Sequence, residues 1–207
     1  LAGVISACKL QKVRLEEQRI IVYGAGAGGG GVAMALKNGL VGAGLSEKQA
    51  YERIFVLDSK GLLTAGRQME DYKRPFAKTM EPADLLQTIT RSRATVLLGL
   101  SGQPGVFTEE HVQAMMKSCE RPVIFPLSNP TSACEATPDD LLRWSAGRAI
   151  VAQIPQQKTL DDLATAVAAL RSTGRVGVVG YCYGGAMAWL AACKIDGVAA
   201  ASCYYGG

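Results

Sequence analysis

The sequence holds a single histidine, His111, in the run TEEHVQAMMK, where it reads as a surface position on a helix and leaves no second imidazole to act as a base elsewhere. No two of the six cysteines, at positions 8, 119, 134, 182, 193 and 203, form a C-x-x-C pair. Neither a zinc site nor a disulfide framework is therefore indicated. The net charge of +4 is dispersed, with no basic run longer than a pair, which excludes a nucleic-acid patch. No apolar run reaches the roughly 18 residues of a membrane span. The apolar start LAGVISAC lacks a charged leader and a cleavage site, so the expected location is cytoplasmic. The chain opens on Leu1 rather than methionine and stops at Gly207 directly after an apolar stretch, so both ends read as cut.

What is present is a chain of 207 residues, 48% of them hydrophobic, able to bury a sizeable core. Its organising stretch is RIIVYGAGAGGGG, Arg19 to Gly31. Ile20, Ile21, Val22 and Tyr23 suit a buried strand, and Gly24, Gly26 and Gly29 follow in G-x-G-x-x-G spacing. The first glycine permits the tight turn, the second lets backbone approach a pyrophosphate, and the third lets helix pack on strand. The phosphate then faces free N–H groups at a helix N-terminus. Glycine richness alone describes a flexible loop equally well. The strand before it and the helix expected after it, from about Gly30 to Val41 through Val32, Met34, Ala35 and Leu36, point to a dinucleotide site.

Before this stretch, Leu1 to Lys12 has helical spacing through Leu1, Val4, Ile5 and Cys8. After it, RIFVLD ends on Asp58, the candidate acceptor for the adenosine ribose hydroxyls, with a plain strand-end acid as the alternative. The glycine-to-acid separation exceeds the usual ~20 residues, so SEKQAYER is expected to form an extra surface excursion. ATVLLGL from Ala94, PVIFPL from Pro122 and AIVA from Ala149 read as further buried strands. Helices from Thr108 to Lys117 and Pro138 to Trp144 separate them, capped by Thr108 and Thr137. The alternation predicts an α/β fold, a doubly wound, mostly parallel, Rossmann-like sheet with its ligand at the carboxyl ends of the strands. There lie the polar turns SGQPG, beginning at Ser101, and SNPTS, containing Asn129.

Residues 1 to about 152 resemble the NAD(P)-binding domain of malic enzyme. The resemblance rests on GAGAGG, LDSKGLLTAGR from Leu57, LLGLSGQPGVFTEE from Leu97 and FPLSNPTSACEATPDDLLRW from Phe125, in the family's order. It implies that Gly24, Gly26 and Gly29 cradle the pyrophosphate, that Asp58 faces the ribose, that Ser101 belongs to the cofactor site, and that Asn129 lies beside the nicotinamide and substrate. Ser59 and Lys60 follow Asp58, and Lys73 in YKRPF stands where the family tends to carry lysine in enzymes that use NADP, so NADP is favoured over NAD. Lys60 and Lys73 read equally as solvated surface charges. The complete family decarboxylates malate, a small carboxylic acid, with Mg or Mn. Its metal-binding acids and catalytic lysine and tyrosine are expected largely before Leu1, and no metal site is assigned within this chain; Asp139 and Asp140 read as first-turn helix charges. Self-association is left open.

From Gln153 the pattern changes. Thr159 is expected to cap a helix to Ser172 through Leu160, Leu163, Val167 and Leu170, followed by a strand over Val176 to Val179. Gly180, Tyr181, Cys182, Tyr183 and Gly184 then form G-x-C-x-G before the helix GGAMAWLAACK. A nucleophile on such a strand-to-helix turn gains a lowered thiol pKa from the helix and half an oxyanion hole from the Tyr183 N–H. VGVVGYCYGGAMAWLAA with the closing YYGG resembles the dienelactone hydrolase family, whose nucleophile Cys182 matches. That family's acid and histidine come after the point where this chain ends, so without a base Cys182 reads as a reactive thiol or buried small hydrophobe rather than a working nucleophile. The chain is thus read as a fusion, fragment or chimera with a cofactor domain at 1–152 and a hydrolase-like segment at 153–207, the latter expected to extend the first sheet. Three functions follow: a cofactor-binding oxidoreductase domain, a cysteine hydrolase, or a non-catalytic binding module.

Overall fold

The computed structural model describes residues 1–129, 131–152, 156–181 and 183–204. They fall into two compact units, Leu1–Ser128 with Ser132–Gln153, and Asn129–Thr131 with Ile154–Gly207.

The first unit runs α1 (Ala2–Gln11), β1 (Ile20–Tyr23), α2 (Ala27–Gly42), α3 (Glu47–Arg53), β2 (Ile54–Asp58), β3 (Gly61–Leu62), α4 (Leu85–Ser92), β4 (Val96–Gly99), α5 (Glu109–Met116), β5 (Val123–Pro126), α6 (Pro138–Trp144) and β6 (Ile150–Val151). The strands form one sheet in the order β3-β2-β1-β4-β5-β6. All its pairings are parallel except β2 with β3. Register explains the two-sided core. Ile54, Ile20, Val96 and Val123 align across the sheet, and Phe55, Ile21, Leu97 and Ile124 form the next row. Because successive side chains point to opposite faces, the first row packs with α1, α2 and α3, and the second with α4, α5 and α6. The near-continuous apolar runs are therefore buried on both sides, as a parallel sheet requires.

Several elements depart from the sequence expectation. In α1, Val4, Ala7 and Cys8 form the buried face, whereas Leu1 and Ile5 are 42% and 37% exposed. The buried stripe is set by the i, i+3, i+4 positions that meet the sheet rather than by the largest side chains. Helix α2 begins at Ala27, inside the glycines, because close packing against β1 holds those residues helical; Ala33, Leu36 and Leu40 are buried, and Ala35 is exposed. SEKQAYER is no mere excursion: Ser46 and Gln49 form a capping box that starts α3, and Ala50 is fully buried. The sequence reading missed α4, which opens on a second capping box, Asp84 with Gln87. Thr137 caps α6 by accepting from the Asp140 N–H at 3.1 Å. At α5 the Thr108 N–H donates to His111 Nδ1 at 3.1 Å, so the lone histidine is a half-buried helix cap rather than a plain surface residue. Burial pushes its imidazole pKa down.

The second unit contains α7 (Gln156–Leu170), β7 (Val176–Tyr181), α8 (Tyr183–Lys194) and β8 (Val198–Tyr204). Thr159 lies within α7 rather than capping it, since the helix-favouring residues before it continue the turn. Strand β7 pairs in parallel with β8 in a separate two-stranded sheet. The expected extension of the first sheet is not made among the described residues: its β6 edge offers a ladder of only two residues, Ile150 and Val151. No helix among the described residues is long and apolar enough to cross a membrane.

Candidate functional site

The chain leaves β1 for β2 on one side and returns to β4 on the other, so the order reverses across β1. In an open α/β sheet that reversal opens a crevice beyond the carboxyl ends of the strands. Here Gly24 makes the turn at φ +121°, and a Cβ on it would stand 2.3 Å from the Leu100 carbonyl oxygen, so only glycine fits. Its N–H donates to the Leu57 carbonyl at 2.9 Å, and Tyr23 C=O accepts from the Leu100 N–H at 2.8 Å. Gly29 closes the turn from above: a Cβ there would lie 1.7 Å from the Gly24 oxygen. Gly26 differs from both, with nothing within 4 Å of an added Cβ. It is the N-cap of α2, which has no side-chain cap and no acid in its first turn. The first N–H groups of the helix are thus left for a partner beside open space.

That space is a cleft of about 280 Å³ bounded by Gly24, Ala25, Gly26, Asp58, Ser59, Lys73 and Ser101, with Tyr23, Leu100 and Gln103 on its remaining wall. Six of the residues singled out in the sequence therefore meet in one place. Asp58 Oδ1 accepts from the Lys60 N–H at 2.8 Å, and Oδ2 accepts from Arg67 Nη2 at 2.6 Å. Burial works to raise the Asp58 carboxyl, but the Arg67 guanidinium, the Lys60 N–H and the nearby Lys73 outweigh it and hold the group below its ordinary value. Lys73 Nζ pairs with Glu70 Oε2 at 2.8 Å, which raises the lysine and lowers the acid. Tyr72 fixes this segment to the glycine loop by donating its hydroxyl to the Ala25 carbonyl at 3.1 Å.

The remaining expected residues lie elsewhere. The Lys60 side chain is exposed along an adjoining depression that includes Asp84, not in the cleft. Asn129 is exposed and belongs to the second unit. Cys182 lies outside the described residues; β7 ends at Tyr181 and α8 begins at Tyr183, and a Cβ on Gly180 would stand 1.7 Å from the Gly184 oxygen. Sequence reasoning missed Arg67 and Glu135, although both stand in the quoted motifs. Glu135 is fully buried between Cys134 and Ala136, and an acid set among small apolar residues was the available signal. Among the described residues no group of three His, Cys, Asp or Glu side chains is arranged to hold a metal ion.

The donor set fits a dinucleotide: uncapped helix N–H groups beside Gly26 for a pyrophosphate, and a carboxylate at the end of β2 for a ribose. The profile of the family described as malic enzyme, NAD binding domain, matches residues 1–167. The chain belongs to the malic enzyme NAD-binding domain family. Similar proteins include the NAD-dependent malic enzyme of Shewanella sediminis (strain HAW-EB3), 42% identical over 163 residues, and NAD-dependent malic enzyme 3 of Bacillus subtilis (strain 168), 39% identical over 164. The NAD-dependent malic enzyme of Aeromonas hydrophila subsp. hydrophila is 43% identical over 162 residues. Each match covers 73% of this chain, and the chain spans 29% of the length of each relative. The dienelactone hydrolase family profile matches residues 136–207, so the malic-enzyme-type and hydrolase-type matches overlap over 136–167.

Proposed function

We propose that residues 1–152 form the cofactor module of an oxidoreductase of malic enzyme type, binding NADP in preference to NAD, with residues 153–207 a dienelactone-hydrolase-like segment. The observation that carries the reading is Gly26: the motif's middle glycine borders open space at an uncapped helix start, where a pyrophosphate would lie. When bound, the cofactor supplies hydride acceptance. The residues here bind and orient it: α2 N–H groups at the pyrophosphate, Asp58 at the ribose, and Ser59, Lys73 and Ser101 along the same cleft. In the complete enzyme the substrate is malate, decarboxylated oxidatively to pyruvate, with a divalent metal (Mg or Mn), a catalytic lysine and a tyrosine contributed from outside the motifs present here. Asn129 is assigned to the nicotinamide and substrate side.

The NADP preference rests on charge. An unpaired Asp58 would repel a 2′-phosphate, but Arg67 neutralises it at 2.6 Å, and Lys73 stands in the same cleft as an ammonium. Replacing Lys73 by glutamine is expected to weaken NADP binding about tenfold to a hundredfold, the worth of one charge-assisted hydrogen bond, while NAD affinity stays within about twofold. Calorimetric titration of both cofactors checks this, and equal losses for the two would remove the lysine from phosphate recognition.

The hydrolase reading is secondary. It has the family match and the succession of strand β7 and helix α8 in its favour, but the one histidine of the chain caps α5. Ester turnover of the Cys182→Ala variant is expected to equal that of the unaltered chain, at background; a burst of product dependent on the thiol would revive the hydrolase.

A further inference from the structure

We propose that Glu135 is a positioning residue for the nicotinamide half of the dinucleotide, and that its buried charge makes the site favour the oxidised cofactor over the reduced one. This rests on the cofactor-binding reading above.

Glu135 lies 0% exposed beneath the turns that follow β4 and β5. Its Oε1 accepts from the Ser101 N–H at 2.8 Å, from Ser101 Oγ at 2.8 Å and from Ser128 Oγ at 2.5 Å; Oε2 accepts from the Ser128 N–H at 3.4 Å. The direction of the two hydroxyls is settled by their other partners. Ser128 Oγ accepts from the Gly102 N–H at 2.8 Å, and Ser101 Oγ accepts from the Gln103 N–H at 3.2 Å, so each hydroxyl hydrogen is free to point at Glu135. Four donors converge on its two oxygens, and the form that accepts without donating is the carboxylate. Room is made for it by Gly99, the last residue of β4, where a Cβ would stand 2.5 Å from the Glu135 carboxyl. The backbone is clamped as well: the Phe107 N–H donates to Glu135 C=O at 2.9 Å and the Gly105 N–H to Cys134 C=O at 3.1 Å.

This arrangement has two consequences. Ser101 and its turn are held rigidly at the wall of the cleft by one residue 34 positions away. And a negative charge sits one hydrogen bond behind that wall, with no ion pair to a cation among the described residues. The cleft already feels it: burial, and after it this carboxylate, push the Tyr23 phenol up. In a doubly wound sheet the two halves of a dinucleotide lie on either side of the reversal in strand order. With the adenosine end at β2, the nicotinamide end falls to β4 and β5. The oxidised ring is cationic and the reduced ring neutral, so a fixed anion behind Ser101 attracts the first alone.

The test is calorimetry on the full chain with oxidised and reduced cofactor, comparing wild type, Glu135→Gln and Glu135→Asp, together with ultraviolet titration without cofactor, in which Tyr23 is read as the difference from the same chains carrying Tyr23→Phe. The ratio of reduced-form to oxidised-form dissociation constants is expected to fall about tenfold in Glu135→Gln, as a partly screened single charge implies, and to persist in Glu135→Asp at weaker overall affinity. The Tyr23 titration should move down in Glu135→Gln and not in Glu135→Asp. A folded Glu135→Gln chain that loses affinity for both forms equally, with Tyr23 unmoved, overturns the electrostatic role alone. A wild-type chain that binds neither form overturns the cofactor reading and this proposal with it. Should Glu135→Gln not fold, the wild type still decides: tighter binding of the reduced form overturns the proposal.

Discussion

Gly26→Val is expected to abolish measurable dinucleotide binding, a loss of at least about a hundredfold, in a chain that remains folded. The two halves of that expectation have separate causes. Gly26 has φ −69° and ψ −178°, a conformation open to any L residue, and an added Cβ meets nothing within 4 Å, so the protein itself accommodates the valine. The lost glycine N-cap costs only about 1 kcal/mol or less. The space the side chain fills is the approach to the α2 N–H groups, and a pyrophosphate held off by two methyl groups loses several charge-assisted hydrogen bonds at once, each worth about 1.5–3 kcal/mol. Titration calorimetry with NADP and NAD, beside circular dichroism of the variant, measures both halves. Unchanged affinity in the variant would place the cofactor elsewhere and sink the proposed function.

Gly29→Ala, three residues on, should fail in the opposite way, by losing stability. An added Cβ would stand 1.7 Å from the Gly24 oxygen and 3.7 Å from a Val22 methyl, and the first of these is backbone that cannot rotate aside. Relief requires prising α2 from β1, at a cost of about 3 kcal/mol or more on overpacking grounds, a large part of the roughly 5–15 kcal/mol that holds a domain folded. Hydrogen exchange at Ile20–Tyr23 is the appropriate readout, since it reports the first unit without requiring both units to unfold together. Protection within about 0.5 kcal/mol of the wild type would show that helix and strand do not meet there as tightly as the structure has them. The pair of variants separates two functions inside one motif: Gly26 keeps a ligand's path open, and Gly29 keeps the fold closed.

Ile20–Tyr23, Ile54–Asp58, Val96–Gly99 and Val123–Pro126 announced themselves as strands because a parallel sheet covered on both faces demands unbroken apolar runs. The G-x-G-x-x-G spacing marked the turn because each glycine answers a local steric need. Helix α2 starts at Ala27, three residues before the Gly30 that the sequence suggests, because glycine has little helix preference of its own and packing on β1 decides where the helix begins. Helices α3 and α4 are short, yet their capping boxes, Ser46 with Gln49 and Asp84 with Gln87, are sequence signals in their own right.

By itself, then, the sequence determined the doubly wound class, the glycine turn, the acid at the end of β2 and the family, all of which depend on spacings within about a dozen residues or on motifs in fixed order. Only the tertiary structure decided that Arg67 neutralises Asp58, that Glu135 ties the turns after β4 and β5 together, and that β7 and β8 form a sheet of their own. The reason is physical: ion pairs, buried carboxylates and strand partners are chosen by which groups the fold brings within about 3 Å and which it removes from water, and neither distance nor burial is a property of neighbouring letters.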